Sequence, residues 1–149
     1  MKELLNAIRT ALEGIERVTV FVTPDENFLP HEVRLPAIGI KDGSDRRSEG
    51  VSMTMSSTIE VKIIPWVKLA KDEASILGDP ASGEMGIIDL SSAIHVVLDD
   101  NLFSISGLES AFSSSETGSK LLGDERELLV NKVITYNYEK EGDRPCLSR

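Results

Sequence analysis

The chain has 149 residues and 16.3 kDa, is 40% apolar and 28% charged, and has a mean hydropathy of −0.09. That is enough for one domain with a sizeable core, too little for two, and too apolar for wholesale disorder. Its 25 acids against 16 bases leave a net charge of −9, which argues against a dedicated phosphate-backbone binder and against docking on anionic lipid. A single cysteine, Cys146, excludes an internal disulfide framework and any multi-cysteine zinc or iron–sulfur site.

Leu4, Leu5, Ile8, Leu12 and Ile15 recur at three- and four-residue steps with charged residues between them, the stripe of an amphipathic helix that Gly14 terminates. The segment is periodic rather than uniformly apolar and no small-residue cleavage site follows, so it is not read as a signal peptide. No apolar run approaches the roughly 18 residues of a membrane span. The expectation is a soluble, acidic, intracellular single domain spanning residues 1–149.

Val18 to Val22 is β-branched and aromatic and ends at Thr23-Pro24-Asp25, as a strand does. Ala37-Ile38-Gly39-Ile40 reads as a second strand, followed by a turn-rich stretch from Lys41 to Gly50. From Val51 to Ile63 the odd positions are almost all apolar and the even ones polar, the period-two mark of a long strand with one buried face. At roughly 3.3 Å per residue such a strand spans about 40 Å, so it must bend or project beyond the core. Pro65 in the following Ile64-Pro65-Trp66-Val67 confines any continuation to an edge or a bulge.

Lys71 to Glu84 reads as a polar loop. A second helix runs from about Ile87 to Asn101, with Ile87, Leu90, Ile94, Val97 and Leu98 on one stripe and Asp89 near its start. The serine-rich Ser104 to Lys120 reads as a long flexible connection. Leu128, Val130, Ile134, Tyr136 and Tyr138 then mark a last strand whose alternation Lys132 and Val133 interrupt, and residues from 140 on read as a flexible tail. These elements predict an α+β fold: a mostly antiparallel sheet of four to five strands packed by two helices, with a long projecting strand or hairpin.

Catalysis and metal binding need convergent polar groups, and no motif supplies them. His31 and His95 have no metal-ligand spacing, and His95, between Ile94 and Val96, reads as a partly buried or interface helix residue. No G-x-S-x-G elbow presents a serine nucleophile, and Cys146 near the terminus reads as a free surface thiol. The Gly78 to Gly86 stretch precedes a helix as phosphate loops do but lacks the Gly-Lys-Ser/Thr ending, and its Asp79 and Glu84 would repel an anion. Asp42-Gly43-Ser44-Asp45 lacks the bidentate acid of a calcium loop and reads as a turn. The adjacent Arg46 and Arg47, placed at a loop tip, are either a solvated turn or a contact for an acidic neighbour. No catalytic, cofactor or metal residues are assigned.

The order of features resembles the small tail-terminator, or tail-completion, proteins of tailed bacteriophages and related contractile particles. It is carried by the N-terminal helix, the Leu35-Pro36-Ala37-Ile38 entry to a strand, the long alternating strand Val51 to Ile63, the glycine-rich loop before the helix at Ile87, and that helix's Leu98 to Leu102 ending. It covers roughly residues 1–140 in topology more than in motifs; a head–tail joining adaptor would share the outline.

The resemblance implies a structural virion protein that forms a ring of six copies at the head-proximal end of the tail and is assembled in the host cytoplasm. The ring would cap the last tube ring, halt tube growth and offer its other face to the neck. Its partners would be the tail tube protein, the sheath protein where there is one, and the neck or connector protein. DNA would pass its acidic channel without specific binding, and no cofactor or membrane would be needed. Such a ring requires a heterologous interface. Within this reading the interface residues are Asp42, Arg46, Arg47, Met53, Met55 and Ile59: the long strand pairs or packs against the neighbour, its methionines supply adaptable apolar contact, and the charges at the turn fix register. Plain intramolecular core is the alternative for the methionines. The competing reading of another class is a small acidic enzyme or ligand-binding α+β domain, which predicts a deep pocket holding acids of raised pKa.

Overall fold

The first helix, α1 (Lys2–Leu12), buries Leu4, Ile8 and Leu12, the stripe set by its sequence period. A computed structural model describes residues 1–49, 54–68, 72–79, 83, 85–123 and 128–143. Helix α1 ends two residues before Gly14, and the left-handed residue of the following turn is Arg17, with φ of 63°.

Two parallel strands follow, β1 (Thr19–Val22) and β2 (Ala37–Glu49). Parallel neighbours need a crossover. Here it is the irregular stretch between them, whose Leu29, Val33 and Leu35 pack on Phe21, Ala37, Ile64 and Trp66 on one face of the sheet. Next come β3 (Thr54–Lys68), α2 (Asp72–Leu77), α3 (Ile87–Leu98), β4 (Leu108–Glu116), β5 (Lys120–Gly123), β6 (Leu128–Asn131) and β7 (Ile134–Asp143). The fold is α+β, a mixed open sheet of seven strands with three helices.

The sheet is five positions wide, close to the predicted count, because β6 and β7 succeed one another along the same side of β3, with β5 and β4 outside them. The register is continuous across the break, from Ile63 opposite Ile134 to Trp66 opposite Asn131. What falls in the gap is Pro65, which has no N–H to give; its carbonyl still accepts from the Lys132 N–H at 3.3 Å. The expected confinement of Pro65 to an edge or bulge is therefore corrected: it lies in the central strand and interrupts the ladder there.

The other face carries the main core. Ile38, Ile40, Ile59, Val61, Ile63, Ile134, Tyr136 and Tyr138 project from the sheet against α1 and α3, where Ile87, Leu90, Ile94 and Leu98 are fully buried. Among the described residues no helix is long and apolar enough to cross a membrane.

Four more expectations are corrected. The stretch from Lys41 is not a turn but the outer half of β2, paired with β3 as far as Glu49 opposite Met55. The segment read as a polar loop contains α2. The serine-rich connection is largely β4, held by pairing to β7. Residues 140–143, read as the start of a flexible tail, belong to β7; the rest of that stretch, Cys146 included, lies outside the described residues.

One extra residue enters β2 between Asp42 and Asp45, opposite Glu60. At this bulge a Cβ on Gly43 would stand 2.5 Å from the Glu60 carbonyl oxygen. Gly43→Ala is therefore expected to cost about 1–3 kcal/mol, as overpacking does, measurable by urea denaturation.

Candidate functional site

The helices cover only part of the sheet. Beyond Ile40, the residues of β2 are mostly exposed, and its strand partners continue with it: Met55 of β3 lies opposite Gly142, and Ser57 opposite Lys140. This extended region is wider than a hairpin, since β7 accompanies β3 along its length and β4 flanks β7.

Within it the six residues proposed from sequence separate. Asp42 and Asp45 flank the bulge. Arg46 and Arg47 are consecutive strand residues, so their side chains leave opposite faces of the sheet; the loop-tip placement is corrected. Arg46 lies opposite Thr58 on the uncovered face, and Arg47 opposite Ser57 on the helix side. Arg47 stands 3.7 Å from Asp45, an exposed pair of small energetic weight. Arg46 makes no ion pair among the described residues. Met55 is half-buried, Ile59 is 5% exposed within its own chain's core, and Met53 lies outside the described residues.

Strand β3 cannot pair with a neighbour between Met55 and Ile63, because its backbone is bonded to β2 on one side and β7 on the other. The unpaired backbone belongs to β2. Strand β1 ends at Val22, its side of the ladder closes with the Thr23 N–H donating to the Ile40 carbonyl at 2.9 Å, and Pro24 follows. From Asp42 to Ser48 the far side of β2 then has no strand beside it among the described residues.

The opposite edge is β4. Bulges break its register on β7 at two places, between Leu108 and Ser110 and between Ser113 and Ser115. The Ala111 carbonyl accepts from the Asp100 N–H at 3.1 Å, so the edge is capped there by the loop after α3; from Phe112 to Glu116 no strand lies outside it among the described residues. Phe112 is 46% exposed, a large apolar side chain on a polar face. Beside it on that face crowd Glu109, Glu139 and Glu141. A shared hydrogen bond with Glu141, then its charge, then slight desolvation and Glu139 raise the Glu109 carboxyl above the usual carboxylate range.

A second polar cluster joins α3 to the sheet. The Tyr136 hydroxyl donates to Asp99 Oδ1 at 2.7 Å, and His95 Nδ1 lies 2.7 Å from the same hydroxyl oxygen. With the phenol proton on Asp99, Nδ1–H is the donor to Tyr136, which fixes the tautomer. His95 Nε2 lies 3.4 Å from Glu116, which Lys132 approaches at 3.7 Å. Burial, then Asp99, push the Tyr136 phenol well above its usual range. His95 is thus a clasp between helix and sheet, in line with its expected part-burial. The i,i+4 spacing of His95 and Asp99 is visible in the sequence; Tyr136 and Glu116 arrive only through strand pairing. Tyr136→Phe is expected to cost about 1 kcal/mol, since it removes the hydroxyl that links His95 to Asp99 while both keep water and each other, 3.4 Å apart, as partners; urea denaturation and its non-additivity with Asp99→Asn check this.

A cavity of about 350 Å³ lies at the other end of the sheet, lined by apolar side chains including Leu35, Pro36, Val67 and Met85, with Arg17 and Lys68 among its residues. Among the described residues no carboxylate lines it, and the acid whose pKa is raised among them, Glu109, is on the open sheet. Among the described residues no group of three His, Cys, Asp or Glu side chains could hold a metal ion.

No protein-family model matches the chain, and no curated protein does. Among solved structures it is similar to a chain of a particle described as "Virion of native gene transfer agent (GTA) particle", with a TM-score of 0.56 and 12% identity, covering 93% of this chain and 95% of that one. At that identity the likeness is one of fold.

Proposed function

We propose that this chain is a structural virion protein, a tail terminator whose copies form a six-membered ring that caps the tail tube, stops its growth and joins the tail to the neck. The observation that carries this reading is the fold likeness to a chain of a gene transfer agent virion, which spans nearly the whole of both chains. The sheet supports it further: it extends beyond its helices and, among the described residues, leaves two different edges without a neighbouring strand, which can serve as the two distinct patches that a closed ring of identical copies needs. The net charge of −9 per copy suits a channel through which DNA slides without being held.

The test is assembly in the presence of tail tube protein, followed by electron microscopy and native mass measurement. Tubes are expected to stop at a ring of this chain. Tubes that grow unchanged, with none of the chain at their ends, would overturn the reading.

The double reversal Arg46→Glu, Arg47→Glu is expected to leave the far-ultraviolet circular dichroism and melting temperature unaltered, because both side chains are exposed, while assembly weakens. Unchanged assembly would remove this part of β2 from the interface.

A further inference from the structure

The two unpaired edges of the sheet differ in chain direction and in charge. Strand β2 is antiparallel to β3, β3 to β7, and β7 to β4, so β2 and β4 run in opposite directions at the two borders. When a second copy is placed beside the first by rotation about a ring axis, its β2 meets β4 antiparallel and the alternation of the sheet continues. The two free edges start level, Asp42 standing opposite Ser113 through Val61 and Tyr136; from there β2 runs out beyond the helices while β4 runs inward to Glu116, opposite Ile134, so the next copy is shifted along the strand direction.

The charges are complementary on the uncovered face. The β2 border carries Arg46, with no ion pair among the described residues. The β4 border carries Glu109, Glu139 and Glu141, close enough that the charges of the other two raise the Glu109 carboxyl. Next to them Phe112 is 46% exposed, an apolar platform on which an arginine stem and guanidinium can lie. The Gly43 bulge and the charges of β2 guard an edge against indiscriminate pairing, so the partner must match them.

We infer that copies of this chain join by edge-to-edge sheet pairing, residues 42–46 of β2 lying antiparallel along Phe112 to Glu116 of the next copy, with Arg46 directed onto Phe112 and the Glu109, Glu139 and Glu141 carboxylates. This rests on the ring reading above and names its contact.

The test uses the full chain with Cys146→Ser, made as two variants, Arg46→Cys and Phe112→Cys, assembled with tube protein and treated with a short bismaleimide. Native mass of the unaltered chain under the same conditions is measured first. The expected result is a cross-linked dimer when the two variants are mixed and none when either is assembled alone. A ring that forms but gives no mixed cross-link overturns the edge contact and leaves the ring reading standing. Cross-linking of Arg46→Cys with itself overturns it in favour of a two-fold contact. Absence of any oligomer overturns both. As an independent check, Arg46→Glu is expected to lower the assembled fraction and Glu109→Arg in the same chain to restore it; failure of restoration counts against the contact even where the cysteine variants misfold.

Discussion

Ile59→Lys is expected to lower the unfolding free energy by about 4 kcal/mol, a severe loss for one substitution, while Met55→Lys lowers it by less than about 1 kcal/mol. The two residues are on the same strand and the same face, four positions apart. Ile59 is 5% exposed and sits opposite Tyr138 in the core beneath the helices, so a lysine there loses the isoleucine's packing and its ammonium must be drawn out of the core toward Asp45, opposite it on β2. Met55 is half-buried beyond the helices, opposite Gly142 and Glu49, and a lysine there keeps its head in water. For a chain of this length the first change lowers the melting temperature by roughly 10 °C. Calorimetry of the two variants checks this, and equal losses would mean the core extends further along β3 than its burial indicates. The pair also separates two roles: Met55→Lys that melts normally yet fails to assemble places Met55 between copies, whereas Ile59 is committed to the interior of its own chain.

The same contrast explains what the sequence could and could not reveal. Alternation is a signal of one covered face, and it was clear in β3 because Ile59, Val61 and Ile63 meet the helices there. The outer half of β2 reads as a turn because no helix covers it: Lys41 to Glu49 can be polar on both faces and still be a strand, bonded to β3 along its length. Strand β4 hides for a related reason. Its only fully buried apolar residues are Leu108 and Ala111, and two bulges break the period between and beyond them, so serine composition dominates the reading. Pro65 misleads in the opposite sense, since a local rule about missing donors does not register that the neighbouring chain simply skips the bond. The charged residues of the proposed contact are legible as residue types; that Arg46 and Arg47 face opposite ways follows from the strand, and the grouping of Glu109 with Glu139 and Glu141 on the face of Arg46 follows only from pairing.

Gly86→Ala is expected to cost about 3 kcal/mol, the upper end of what overpacking does, although the position lies between helices in a stretch whose composition suggests only a loop. A Cβ there would stand 2.3 Å from the Gly78 nitrogen and 2.5 Å from the Ile76 carbonyl oxygen, both backbone atoms that no rotamer change can move. Gly86 is also where α3 begins: its N–H donates to Asp89 Oδ2 at 3.3 Å and its carbonyl accepts from the Leu90 N–H at 3.0 Å. Relief of the clash therefore requires either the end of α2 to swing away or the first turn of α3 to unwind, and the latter would pull Ile87 and Leu90, both fully buried, out of the core. Asp89→Ala removes only the carboxylate at the helix start and is expected to cost about 1 kcal/mol. A Gly86→Ala loss no larger than that of Asp89→Ala, measured by urea denaturation, would show that α2 yields without disturbing α3, and that the close approach of the two helices is incidental to the stability of the sheet they cover.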